Sequence, residues 1–182
     1  MSKQHLDYPL IAAVTRPEQM EAALNSKVKR INLMTGDISQ LASIVERVHA
    51  VDKKLYVHIE MVNGISRDSS GIHYLANVFK IDGIVSTKSN AIASAKQAGI
   101  GTTQRIFAID TAAIETAHKM FHSSKPDEVE LMPGLMPRII TEIRSQWDKK
   151  LIVGGLIQSR EEIQLAFDHG ADYVSLSNPS FW

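Results

Sequence analysis

The sequence predicts a compact (β/α)8 barrel of the TIM type, on three observations. Short β-branched or aliphatic runs occur eight times along the 182 residues. Each is followed by a polar break and a segment with apolar residues at helical spacing. The runs recur every roughly 20 to 28 residues, which leaves room for one helix per crossover and calls for a parallel sheet with right-handed connections. An open doubly wound sheet could use the same elements, but eight evenly spaced units favour closure. The chain is shorter than the roughly 200 to 250 residues usual for such a barrel. The sequence stops at Trp182, close behind the eighth run, so a missing or truncated last helix is expected, and other helices must be short. Residues 1–182 are read as one domain.

In chain order the strand candidates are LIAAV (10–14), RINLM (30–34), KLYVHIE (54–60), DGIVS (82–86), TTQRIFAI (102–109), DEVELM (127–132), KLIVGG (150–155) and DYVSLS (172–177). Helix starts carry their own chemistry: Pro17 and Glu18 behind Arg16, Asp37 before ISQLASIVERV, Asp110 before TAAIETAHKM, and Ser159 ahead of Glu161 and Glu162. Between starts and ends, Ile38, Leu41, Ile44, Val45 and Val48, or Ile139, Ile140 and Ile143, fall on one helical face. Gly99 and Gly170 stand where left-handed C-caps belong.

Composition narrows the function classes. Lys plus Arg and Asp plus Glu both number 20, so no global basic field advertises nucleic acid, and a polyanion site must be a local patch. With no cysteine there is no disulfide framework, thiolate metal site or thiol nucleophile. No metal-ligand pattern stands out. MSKQHLDYPL lacks the basic and apolar regions of a leader, and no run approaches the roughly 18 apolar residues of a membrane span. A cytoplasmic protein without a membrane partner is expected.

In such a barrel, function sits at the C-terminal ends of the strands. Phosphate sites often use the loops after the seventh and eighth strands, where backbone N–H groups point at the anion and glycine lets the backbone come close. Gly154 and Gly155, with Ser175, Ser177 and Asn178, occupy those loops. The plainer alternative is a turn and a capped terminal segment. His58 and Glu60 alternate on the third strand and share a face, suited to acid/base work, to binding hydroxyls, or to a polar layer inside the barrel. Lys88, beyond the fourth strand, could approach a phosphate, form a Schiff base or be solvated. If Arg105 faces inward it needs an anionic partner, for which Glu60, Glu130 or a bound phosphate would serve. Asp110 reads as a helix cap.

Basic residues collect at the opposite end. Lys27, Lys29, Arg30, Lys53, Lys54, Lys80, Lys125, Lys149 and Lys150 all precede strands. Cations at helix C-termini are favoured by the dipole. The alternative is a ring meeting RNA phosphates, with Lys29, Arg30, Lys53, Lys54, Lys149 and Lys150 as its members. With 6% aromatic residues, no base-stacking module is recognisable.

The stretches DGIVSTKSNAI (82–92), QRIFAIDTAAIE (104–115), ELMPGLMPRIITEI (130–143) and GGLIQSREEIQLAFDHGADYVSLSNPSFW (154–182) together resemble the glycerol-3-phosphate-responsive antiterminator family, the glycerol uptake operon antiterminator regulatory proteins. The likeness runs over nearly the whole chain and is weakest over the first fifty residues. It departs in HIE at 58–60, where His followed by Asp is expected, lengthening the carboxylate arm by one methylene. The resemblance implies a regulator rather than an enzyme, with glycerol 3-phosphate as effector and no cofactor. It implies a leader mRNA as partner, bound and stabilised so that transcription reads through a terminator. Gly154, Gly155, Ser175, Ser177 and Asn178 become candidates for the phosphate side. His58, Glu60, Lys88, Arg105 and Glu130 become candidates for the glycerol moiety or for neutralising the phosphate. A homodimer would enlarge a basic surface on a neutral protein. The competing function is a small barrel enzyme acting on a phosphorylated metabolite, with Lys88 or the His58 and Glu60 pair as catalysts.

Overall fold

The computed structural model describes residues 8–182, so most of the stretch read above for a leader lies outside the described residues. Eight parallel strands close into a barrel in sequence order: β1 (Leu10–Val14), β2 (Arg30–Leu33), β3 (Lys54–His58), β4 (Gly83–Ser86), β5 (Gly101–Phe107), β6 (Glu128–Met132), β7 (Lys150–Gly154) and β8 (Tyr173–Leu176). The crossovers hold α1 (Met20–Asn25), α2 (Ile38–Ala50), α3 (Ser69–Tyr74), α4 (Ser89–Gln97), α5 (Thr111–Ser124), α6 (Pro137–Gln146) and α7 (Arg160–Asp168). The expected economy falls on α1 and α3, six residues each. A π-helical turn, Leu75–Phe79, extends α3.

Alternation along each strand divides the side chains. Ala12, Val14, Ile31, Leu33, Leu55, Val57 and Ile84 face outward into one apolar cluster with the first helices. Val129, Leu131, Leu151, Val153, Val174 and Leu176 build a second cluster with α5, α6 and α7. Within the first, α2 buries Leu41, Val45 and Val48, each contributing about 1.5–3 kcal/mol by leaving water. The opposite parity, including Asn32, His58, Arg105, Glu130 and Ser175, lines the barrel interior.

The helix starts follow the chemistry of their caps. Asp37 accepts from the Ser39 amide, Asp110 from Ala113, and Ser159 and Glu162 form a reciprocal capping box. Gly99 and Gly170 take φ of +76° and +106°. Behind β8 comes one 3-10 turn, Pro179–Phe181. There Trp182 packs on the first apolar cluster and Phe181 on the second. The Tyr8 phenol donates to the Phe181 carbonyl at 3.0 Å, and the Trp182 indole to the Leu176 carbonyl at 3.0 Å. Two aromatic side chains thus cover the seam between β8 and β1.

The N-terminal edge of the sheet is finished by a repeated device that sequence reading passed over. Asp82, Asp127 and Asp172 each immediately precede or stand one residue ahead of an even-numbered strand, and each accepts from a backbone amide in the preceding strand: Leu55, Thr102 and Leu151, at 2.8, 3.0 and 2.8 Å. Those amides belong to the second residue of each odd strand, all three buried, where an unpaired N–H would be costly. The three aspartates are spaced 45 residues apart, a period readable in the sequence.

Candidate functional site

The site is built from the strand ends inward. Arg105 and Glu130 are cross-strand partners on β5 and β6, and both point into the barrel. Nε and Nη2 of Arg105 each lie 2.9 Å from Oε2 of Glu130. Both side chains are almost wholly removed from water, so neither charge could stand alone. Of the partners considered for Arg105, the carboxylate beside it on β6 is the one it meets. The other oxygen, Oε1, has no hydrogen-bond partner.

His58 ends β3 on the same interior. Burial pushes its pKa down to about 3, and the Arg105 guanidinium adds to the effect, so the ring is neutral at physiological pH. Nδ1 lies 3.2 Å from Oε2 of Glu60 yet lacks the angle of a hydrogen bond, and a neutral imidazole makes no ion pair there. Strand alternation was expected to put His58 and Glu60 on one face, but β3 stops at His58. The chain turns there, with the Met61 and Val62 amides returning to the His58 carbonyl. Glu60 instead reaches across the top of β4, accepting from the Ser86 hydroxyl and, at 3.4 Å, from the Thr87 amide. The Ser86 hydroxyl in turn accepts from the Lys88 amide at 3.0 Å. Glu60 therefore orders the loop that carries Lys88, whose side chain is exposed on the rim.

On the far wall, Gly154 pairs with Ser175 across β7 and β8. A Cβ at Gly154 would lie 2.9 Å from the Ser175 carbonyl oxygen, so the two strands approach more closely than a side chain permits. Gly155 takes φ of +78°, and its carbonyl accepts from the Gly134 amide at 3.2 Å. The glycine pair thus packs against the loop after β6, which holds the cis Met132–Pro133 bond. The Ser175 hydroxyl is buried and has no partner. Ser177 and Asn178 are exposed beyond it, with the Asn178 side chain capping the last turn through the Ser180 amide.

Two interior residues were missed in the sequence. Gln19 is buried, receiving the Thr15 and Arg16 amides on Oε1 and donating Nε2 to the Ser177 carbonyl at 2.7 Å, which ties the loops after β1 and β8 together. Asn32 is fully buried, accepts from Arg30 Nε, and leaves Nδ2 without a partner. A polar residue on the inward parity of RINLM was its available signal. His58, Arg105 and Glu130 are brought together, and Gly154, Gly155 and Ser175 form the β7–β8 wall. Among the described residues no group of three or more His, Asp or Glu side chains is placed to hold a metal ion.

The basic residues at the other end do not act as one set. Arg30 is mostly buried, ion-paired with Glu128, bonded to Thr103, and laid on the Tyr56 ring at 3.5 Å. The Lys53 amine is buried on the Ala23 and Ser26 carbonyls, and burial followed by the neighbouring Lys29 charge lowers its pKa. Lys149 donates to the Pro126 carbonyl at 2.9 Å. Lys29, Lys54 and Lys150 are exposed.

A family model described as glycerol-3-phosphate responsive antiterminator matches residues 10–182. A glycerol uptake operon antiterminator regulatory protein from Listeria monocytogenes has a crystal structure with a TM-score of 0.93 and 30% identity, over 100% of this chain and 98% of that one. A glycerol uptake operon antiterminator-related protein from Thermotoga maritima gives a TM-score of 0.85 at 24% identity, over 97% and 99% of the two chains, a likeness of fold. YgcP of Escherichia coli K12, described as uncharacterized, is 29% identical over 174 residues, 96% of this chain and 91% of its own.

Proposed function

The chain belongs to the glycerol-3-phosphate-responsive antiterminator family, and from that premise we propose that it binds glycerol 3-phosphate at the C-terminal end of the barrel and, when loaded, acts on a leader mRNA to let transcription pass a terminator. The observation that carries this reading is a group of buried interior polar atoms without partners, Nδ1 of His58, Oε1 of Glu130 and Oγ of Ser175, apart from the one at Asn32 Nδ2 beside Arg30. Buried polar groups are normally satisfied, because leaving one unpaired costs about 1–3 kcal/mol. Here they supply both donors and acceptors, which suits a ligand bearing hydroxyls beside an anionic group.

The phosphate is assigned to the wall made by Gly154, Gly155 and Ser175, with Ser177 and Asn178 at its edge. Gly155, with φ of +78° and no atom nearer than 3.7 Å to the place of its missing Cβ, leaves room for backbone contacts to an anion. The glycerol hydroxyls are assigned to His58 and Glu130, with Arg105 facing the negative charge and Lys88 on the rim. A His58 neutral over the physiological range donates at one ring nitrogen and accepts at the other, which suits binding a hydroxyl. The reading is of binding and signalling, without turnover or cofactor.

Thermal melts test the assignment. Glycerol 3-phosphate should raise the melting temperature by mass action while glycerol does not, and Gly155→Glu should abolish the rise. Ser175→Ala, which keeps the backbone unstrained, should diminish it. An undiminished rise in both variants would remove the ligand from this wall.

A further inference from the structure

We propose that the N-terminal mouth of the barrel is a phosphodiester-binding site for unpaired RNA, formed by Lys29, Lys54 and Lys150; this rests on the mRNA-directed function above and assigns its surface. The mouth opens into a cavity of about 840 Å³, lined by these three lysines together with Arg30, Tyr56 and Tyr173. That volume lies within the roughly 300–1,000 Å³ of ligand pockets.

Net charge at this end is misleading, because its acids and bases are used differently. Asp82, Asp127 and Asp172 are turned into the sheet edge, each holding a backbone amide. Asp82 also meets His49 and Asp172 meets Arg144. Glu128 is buried against Arg30. Asp52 is the exposed acid of the lining. Against these, Lys29 and Lys54 make no ion pair among the described residues, and the exposed Lys150 amine is held by one long ion pair, 3.9 Å from Oε1 of Glu128, and lies over the Tyr173 ring at 5.6 Å. Committed carboxylates, two unpaired amines and one loosely paired amine leave an outward positive field on a chain of zero formal charge.

The cavity wall argues for backbone contact over base readout. Arg30 lies over the Tyr56 ring at 3.5 Å and Lys150 over the Tyr173 ring at 5.6 Å, so cations of this chain already occupy a face of each of these two rings in the lining. Flexible amines around a cavity with a fixed wall meet phosphates wherever a strand passes, with little sequence preference. The lysines ring a cavity rather than line a long groove, which suits the sugar-phosphate of an unpaired segment better than the face of a duplex.

The test is leader-transcript binding by the full chain with glycerol 3-phosphate, measured across salt concentration. Lys29→Glu, Lys54→Glu and Lys150→Glu combined should weaken binding at least tenfold and flatten the salt slope by about 2, the single-strand expectation for three lost contacts. Lys119→Glu, an exposed lysine of α5 outside the cavity lining, should leave both unchanged, and unaltered melting of the triple variant in the absence of ligand confirms its fold. Wild-type affinity in the triple variant overturns the site while the antitermination reading stands. No transcript binding by the wild-type protein overturns that reading and this site with it. Competition by polyglutamate as strong as that by unlabelled transcript would reassign the mouth to an acidic peptide.

Discussion

The barrel encloses two arginine–glutamate pairs, and the two differ in how completely they are satisfied. Near the lower mouth, Arg30 uses every part of its guanidinium: Nη1 on Glu128, Nη2 on Thr103, Nε on Asn32 and the flat face on Tyr56. Further up, Arg105 meets Oε2 of Glu130 twice and otherwise only the Met34 sulfur at 3.7 Å, leaving Glu130 Oε1 and His58 Nδ1 open. The lower arginine is fully engaged, with only Asn32 Nδ2 open beside it. The upper pair is held in place with two polar atoms open, which is what the proposed ligand site requires.

The sharpest way to break that contrast is to remove one cation at a time. Arg105→Leu leaves Glu130 fully buried with no countercharge, and the expected cost is about 3–5 kcal/mol in urea unfolding. Arg30→Leu should cost less, since Glu128 keeps the Thr103 hydroxyl and has Lys150 at 3.9 Å. Arg105→Leu combined with Glu130→Leu should recover most of the loss, because no buried charge then remains. A cost below about 1 kcal/mol for Arg105→Leu alone would show that the upper pair is not dry.

The second way is acid. His58 has a folded pKa of about 3 against 6.5 in the unfolded chain. Protons therefore bind the unfolded chain first, so the stability contributed by the neutral ring is complete above about pH 6.5 and is lost as pH falls towards 3. Between pH 6.5 and 5 the loss should reach roughly 2 kcal/mol, at about 1.4 kcal/mol per pH unit. His58→Gln should remove that part of the slope, whether or not the variant is less stable at neutral pH. An identical slope in wild type and variant would mean that the ring titrates normally and that the upper interior is open to water.

What the sequence made legible follows from what is periodic. All eight strands were readable because buried strands and amphipathic helices alternate with even spacing, and Asp37, Asp110 and Ser159 cap because their side chains act on amides two or three residues away. The inward direction of Arg105 could be posed as a condition, but its partner depended on the β5–β6 register, which links residues 25 apart. Glu60 escaped the alternation argument because β3 ends two residues earlier. The lysines looked alike in sequence, and only the atoms each amine meets distinguish buried Lys53 from exposed Lys54. Gln19 acts between loops 158 residues apart, which no local pattern encodes.

The smallest effect separates glycines required for space from those required for backbone conformation, one at each end. A Cβ at Gly101 would fall 2.0 Å from the Tyr56 hydroxyl, so the lower wall needs glycine for room. At Gly155 the nearest atom to a Cβ is 3.7 Å away, and the demand comes from φ of +78°. Gly101→Ala should cost about 1–3 kcal/mol through overpacking, and Gly155→Ala about 1 kcal/mol through left-handed strain. Asparagine makes the distinction sharper, because it tolerates the left-handed region but is larger than alanine. Gly155→Asn should therefore be milder than Gly155→Ala, whereas Gly101→Asn should be worse than Gly101→Ala. If unfolding measurements gave the same rank order at both sites, the two ends would not differ in the way their backbones are used. If the order reverses as expected, Gly155 is needed for its backbone conformation and Gly101 for room.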